Sequence, residues 1–205
     1  MIYIQPKKLT YEFIRDQAEA FRLKYVKPWD KVPIPIIEIV ELQLRITPIP
    51  VLGLLQSIDV DGFLSNDSKS IYIDQNIYLD DRYENRLRFT FAHEVGHLVL
   101  HKDEIQQCNF RNGDEWLHFR EDMLEDDLFY FEQQAYEFAG RLLVPVDSLR
   151  EEISNMKDKI DHFRSIAGEN NEEMLKESIS RVICGKFKVS EGVVLRRIRN
   201  EKITI

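Results

Sequence analysis

The chain has 205 residues and a formal net charge of −8, with 43% hydrophobic and 31% charged residues. That balance fits one folded domain, or one with a small appendage, and excludes a disordered or membrane-embedded chain. No apolar run reaches the ~18 residues needed to span a bilayer. The first eight residues lack a signal-peptide core, and Cys108 and Cys184 stand far apart, so free thiols in a cytoplasmic protein are expected.

In chain order, Tyr11 to Val26 is amphipathic, with Phe13, Ile14, Ala18, Phe21 and Val26 apolar, and the proline-rich stretch from Lys27 to Pro33 ends it. A second helix is predicted from Ile34 to Leu44. Ile46 to Leu55, Ser57 to Leu64 and Lys69 to Asp74 read as three short strands, with Asp61-Gly62 and Ser65-Asn66-Asp67 as turns. A long helix begins near Asp81. Residues 103–128 are polar and acidic and read as a long loop, at most with a helical turn. Phe129 begins another helix, which ends at Val144-Pro145, and short helices follow over 146–156 and 158–167. Gly168 to Asn171 is a loop and a boundary: 1–168 form the main domain and 169–205 a C-terminal segment, which can also belong to the same domain.

That segment has an amphipathic stretch over 172–184, a turn in which Ser190 can cap the next helix, and a second stretch over 191–200. The pattern is helix-turn-helix-like, with Arg196, Arg197 and Arg199 expected on the outside. From 181 to 205 there are seven Lys/Arg and two Asp/Glu, a charge of +5 that leaves −13 for the rest. A basic tail on an acidic chain suits DNA or simply closes the fold. The net charge of −8 argues for the second.

The long helix carries His93-Glu94-Val95-Gly96-His97, which reads H-E-x-x-H. Residues four apart on a helix lie about 6 Å apart along the axis and about 40° round it, so both imidazoles can reach one metal ion. Glu94 reaches a neighbouring part of that face, where it can serve a water at the metal. Leu87, Phe91, Val95, Leu98 and Val99 supply the helical period, with Glu84, Arg86 and Arg88 on the other side. Gly96 costs about 1 kcal/mol relative to Ala inside a helix, which points to something packed closely over that turn.

A catalytic zinc usually takes three protein ligands. Glu132 is the best third candidate, because it lies on or near the apolar stripe of Ala135, Phe138, Ala139, Leu142 and Leu143, where an unpaired carboxylate is expensive. Glu137 lies further round and reads as part of a solvated face. His101, four residues beyond His97, has drifted to about 80° from His93; it reads as a cleft residue, one supporting a ligand, or a satisfied structural histidine.

Arg86, Arg88, Phe89, Thr90, Ala92, His93, Glu94, Gly96, His97, Leu100 and His101, followed by Glu132, Ala135, Phe138, Ala139, Leu142, Leu143 and Pro145, resemble the ImmA/IrrE family of metallopeptidases. The resemblance extends upstream to Pro33–Val40, Gly62–Leu64 and Ser70–Asp74, and covers roughly residues 10–148. Tyr136 departs from it, since the family often has Asn there. The resemblance implies an α+β, mostly helical zincin-like metallopeptidase with a small three-stranded sheet. It implies one Zn²⁺ on His93, His97 and Glu132, with Glu94 as base, and cleavage of a helix-turn-helix repressor that relieves repression of mobile-element or stress-response genes. Tyr136, His101 and His118 are candidates to stabilise the oxyanion. The alternative is a non-catalytic, metal-containing module that regulates by binding a repressor or DNA; the intact Glu94, which a structural zinc does not need, favours catalysis.

Overall fold

The computed structural model describes residues 5–108, 110, 112–167 and 171–205. Gly168, Glu169 and Asn170 of the expected boundary loop lie outside the described residues. Helix α1 (Tyr11–Tyr25) opens with Thr10 accepting the Phe13 N–H at 3.2 Å. Ile14, Ala18 and Phe21 form its buried stripe, whereas Phe13 is exposed. The expected helix over 34–44 is shorter and changes pitch: α2 (Ile36–Glu38) passes into a π-helical turn over Ile39–Gln43.

Strands β1 (Thr47–Val51), β2 (Gly62–Leu64) and β3 (Ser70–Asp74) form one sheet in the order β1-β3-β2. β1 runs parallel to β3, and β2 runs antiparallel to it with Phe63 opposite Tyr72. The expected strands over 46–55 and 57–64 ran too long, because α3 (Leu54–Ile58) intervenes. Gly53, at φ +72°, turns the chain out of β1. Leu54 and Ile58 then bury one face four residues apart, and the Asp74 carboxylate accepts the Leu55 N–H at 3.0 Å.

After α4 (Gln75–Leu79) and a 3₁₀ turn at Asp81–Tyr83, α5 (Glu84–Leu100) carries the H-E-x-x-H residues. The stretch read as a long loop instead contains α6 (Lys102–Gln106) and α7 (Gly113–Asp122). Asn112 caps α7 by accepting the Glu115 N–H at 2.9 Å, and Trp116 is buried beneath it. Helix α8 (Glu125–Leu143) begins before Phe129, with Glu125, Asp126 and Asp127 in its first turn, where acidic side chains suit the helix dipole. Then come α9 (Val146–Ser154), α10 (Lys157–Ala167), α11 (Glu172–Phe187) and α12 (Glu191–Asn200). Among the described residues no helix is long and apolar enough to cross a membrane.

Helices α5 and α8 pack along their length, with Phe91, Val95, Phe138, Ala139 and Leu142 fully buried. Each large side chain so buried contributes about 1.5–3 kcal/mol. Phe21 of α1 meets Phe138 edge-on, with ring centroids 6.0 Å apart.

The arginines do not all lie outside as expected. Arg88 is buried and donates to the carbonyls of Ile34 at 2.8 Å and Lys188 at 3.2 Å. Arg197 is also buried, against Gly140, where it meets Glu201 at 2.8 Å and Glu137 at 3.7 Å. Arg196 stacks on the Tyr136 ring at 4.3 Å, and Arg199 pairs with Glu173. Periodicity placed these residues off the apolar stripe, but α12 lies against α8, and the buried Glu137 carboxylate meets Arg197.

Candidate metal centre

Gly96 explains how the two helices come together. A Cβ there would stand 2.9 Å from the carbonyl oxygen and 3.0 Å from the Cα of Ala135, so α8 lies directly against this turn of α5. The close approach brings Glu132 to the histidines. His93 Nε2 is 3.0 Å from His97 Nε2 and 3.1 Å from Glu132 Oε2, and His97 Nε2 is 3.9 Å from the same oxygen. One ligand atom from each residue lies within 4.8 Å of the others, a spacing that can hold one ion. Two imidazole nitrogens and a carboxylate oxygen match the donor set zinc accepts.

Electrostatics fits the same picture. Burial acts to raise the Glu132 carboxyl, but the His93 hydrogen bond at 3.1 Å and the nearby imidazoles carry it well below the usual range. Burial acts to lower His93, but the Glu132 hydrogen bond and the charges of Glu132, Glu94 and Asp61 together outweigh it, so His93 is raised; burial lowers His97. The three groups thus hold a negative oxygen between imidazole nitrogens, where a cation is favoured.

Glu94 is buried beside them. One carboxylate oxygen accepts the Leu64 N–H at 2.7 Å. Burial, first among several influences, pushes this carboxyl up to about 8. Gly62 makes the contact possible, since a Cβ there would meet the Tyr72 carbonyl at 2.6 Å and Thr90 of α5 at 3.2 Å. Strand β2 therefore lies against the helix that carries Glu94.

The groups open into a cavity of ≈ 350 Å³ lined by His93, Glu94, His97, Glu132 and Tyr136, with Trp116 and Arg120 from α7 on its wall. Tyr136 packs on Phe89 at 4.8 Å between ring centroids. His118 is exposed, bonded to Glu121 at 3.3 Å, and is not in this lining. His101 is also outside the lining: it is 1% exposed, behind His97, with Nδ1 3.1 Å from His97 Nδ1 and Nε2 3.1 Å from Gln134 Oε1. Burial lowers it to about 3. Glu137, read as solvated, is 5% exposed and paired with Arg141 at 2.7 Å and with Asn200 at 2.7 Å. It is absent from the cavity lining.

The model of the IrrE N-terminal-like domain, peptidase family M78, matches residues 55–199. The chain belongs to this family. The match includes all of α5 and α8 and reaches to Arg199 within α12, so it runs across the expected boundary at residue 168. The family is one of metallopeptidases, and the triad is a site at which a metal can be held. No curated protein matches the chain.

Sequence reading overlooked Gln134, Arg120 and the Leu64 N–H. The signal for Gln134 was present: it lies on the stripe of Phe131, Ala135 and Phe138, where a polar side chain needs a partner. Arg120 and Trp116 were passed over with the supposed loop.

Proposed function

We propose that the chain is a zinc-dependent endopeptidase whose protein substrate is a helix-turn-helix transcriptional repressor, so that cleavage relieves repression of mobile-element or stress-response genes. The observation that carries this reading is the triad of His93, His97 and Glu132 beside a buried Glu94, all opening into one cavity. His93, His97 and Glu132 hold the ion. Zinc bound there supplies a Lewis acid and lowers the pKa of water toward ~7.

Glu94 is the general base. The Leu64 N–H fixes one of its oxygens, which aims the carboxylate and leaves the other oxygen for proton transfer. Burial above all holds its proton too tightly for a base at neutral pH, and a cation held by the triad would draw the carboxyl back down. Tyr136 is the preferred oxyanion donor, since of the three candidates only its side chain both lines the cavity and ends in a hydroxyl.

Substrate enters along β2. Ser65 donates to Ser70, and Asp74 donates to Asp61, so residues 61, 63 and 65 face β3 and the backbone of Gly62 and Leu64 faces away. With the Leu64 N–H taken by Glu94, an extended segment can add to that outer edge through the backbone of Gly62 and the Leu64 carbonyl, which gives affinity with little demand on sequence. The acidic body, −13 outside the last 25 residues, favours a basic partner such as a DNA-binding domain. The C-terminal segment closes the fold in this reading, supported by the engagement of Arg196, Arg197 and Arg199 with neighbouring groups. The protein acts in the cytoplasm, where its repressor resides.

Incubating the purified chain with the repressor encoded beside it, and mapping fragments by mass spectrometry, tests this. One or a few discrete cuts are expected, with little activity on an unstructured casein-like protein. A repressor or duplex DNA bound tightly and never cut contradicts it in favour of the non-catalytic module.

A further inference from the structure

A polar line runs from the first residues of the chain to the triad. Gln134 Nε2 lies 2.9 Å from the Lys7 carbonyl oxygen, Gln134 Oε1 lies 3.1 Å from His101 Nε2, and His101 Nδ1 lies 3.1 Å from His97 Nδ1. His97, His101 and Gln134 are all buried, so each of these atoms depends on the next for its hydrogen bond.

The protons on this line can be assigned. A backbone carbonyl only accepts, so the Gln134 group facing Lys7 is the NH₂ and the group facing His101 is the oxygen. That oxygen also only accepts, so His101 Nε2 carries a proton. An imidazolium at His101 would be a buried charge with no carboxylate on either ring nitrogen, which is expensive, so His101 is neutral and its Nδ1 is bare. His97 Nδ1 must then donate, which leaves a lone pair on His97 Nε2, the atom that faces His93 and Glu132.

We propose that Gln134 and His101 are positioning residues that fix the His97 proton on Nδ1 and so present its Nε2 lone pair to the metal, the direction of the chain being set by the Lys7 carbonyl. The inference rests on the metal reading above and extends it to a segment outside residues 55–199 matched to the family. That segment is anchored independently: Pro6 is buried, and Lys8 Nζ lies 4.4 Å from the Tyr130 ring centroid on the same helix as Gln134. The stacking of His101 on Phe131, with ring centroids 4.4 Å apart, holds the imidazole plane. Groups that orient a metal-binding histidine typically change metal affinity by about 10–100-fold when removed.

The test uses the full chain. Long-range nitrogen–proton NMR of the metal-free, histidine-labelled protein near neutral pH reads which nitrogen of His97 is protonated. Competition with a chromophoric chelator reads zinc affinity for wild type, Gln134→Leu, His101→Leu, His101→Asn and His93→Ala, compared only among variants with a cooperative thermal transition. The proposal expects the Nδ1–H form of His97 in wild type and about 10–100-fold weaker zinc binding in the two leucine variants. His101→Asn, whose amide oxygen can still accept from His97 Nδ1, should recover part of that loss. Protonation of His97 at Nε2 in wild type, or leucine variants that bind zinc as tightly as wild type while His93→Ala does not, overturns the proposal alone. Unchanged zinc affinity in His93→Ala overturns the metal reading on which it rests.

Discussion

Gly96 and Ala135 meet backbone to backbone: a Cβ on Gly96 would stand 2.9 Å from the Ala135 carbonyl oxygen. This contact sets the distance between the helix that carries His93 and His97 and the helix that carries Glu132. Gly96→Ala should therefore destabilise the protein by about 1–3 kcal/mol, because the atoms in the way are backbone, even though Ala is the better helix former by about 1 kcal/mol. Zinc affinity should fall with it as Glu132 is pushed away. Thermal unfolding and chelator competition on the same variant check both effects.

The two carboxylates of α8 should separate cleanly. Glu132→Ala removes a metal oxygen and should strip the ion while leaving the fold. Glu137→Ala leaves Arg141 and Arg197 buried without one of their partners, so it should retain the metal but lose about 3–5 kcal/mol of stability. Metal content and urea denaturation distinguish them, and the reverse pattern means that the wrong carboxylate was chosen.

Much of this site was legible because the chemistry repeats at helical spacing. His93, Glu94 and His97 fall four or fewer residues apart, Glu132 sits by an apolar stripe, and Gly96 marks the place where another element must press close. What was missed depends on neighbours distant in sequence. Arg88 and Arg197 look solvated along their own helices, yet the Ile34 carbonyl ahead of α2 and the Glu137 carboxylate of α8 partner them. Helix α7 was misread because its buried residues are sparse: only Trp116 is buried within it, and the rest of its surface is acidic enough to resemble a loop. The over-long strands have a similar origin, since apolar residues on either side of Gly53 belong to different elements.

Acid should weaken the docking of α12. Burial acts to raise the Glu201 carboxyl, but Arg197 and Arg141 outweigh it, and the group lies below its ordinary 4.5. A carboxylate lowered on folding contributes stability that is fully present above that ordinary value and is lost as pH falls through the lower folded value. Glu201→Gln should be less stable than wild type by about 1–3 kcal/mol at pH ~6. The gap should close as pH falls below about 4.5. Urea unfolding of both proteins across that range measures it, and a gap that widens in acid contradicts the assignment.

The basic tail should be structural. Wild-type protein should show no salt-dependent affinity for duplex DNA, measured by fluorescence anisotropy over a range of ionic strength. Arg197→Glu should destabilise by about 3 kcal/mol or more, because it places like charges beside buried Glu137 and partly buried Glu201. Arg199→Glu, at an exposed pair, should cost less than about 1 kcal/mol.

The most direct test compares wild type with Glu94→Gln at equal bound zinc, following cleavage of the repressor. Zinc content and the triad should be unchanged, because Glu94 lies beside the ligand set and is not part of it. The cleavage rate should fall by about 10²–10⁴-fold or more, because the group that takes the proton is gone. A zinc-loaded Glu94→Gln protein that cuts as fast as wild type contradicts the account.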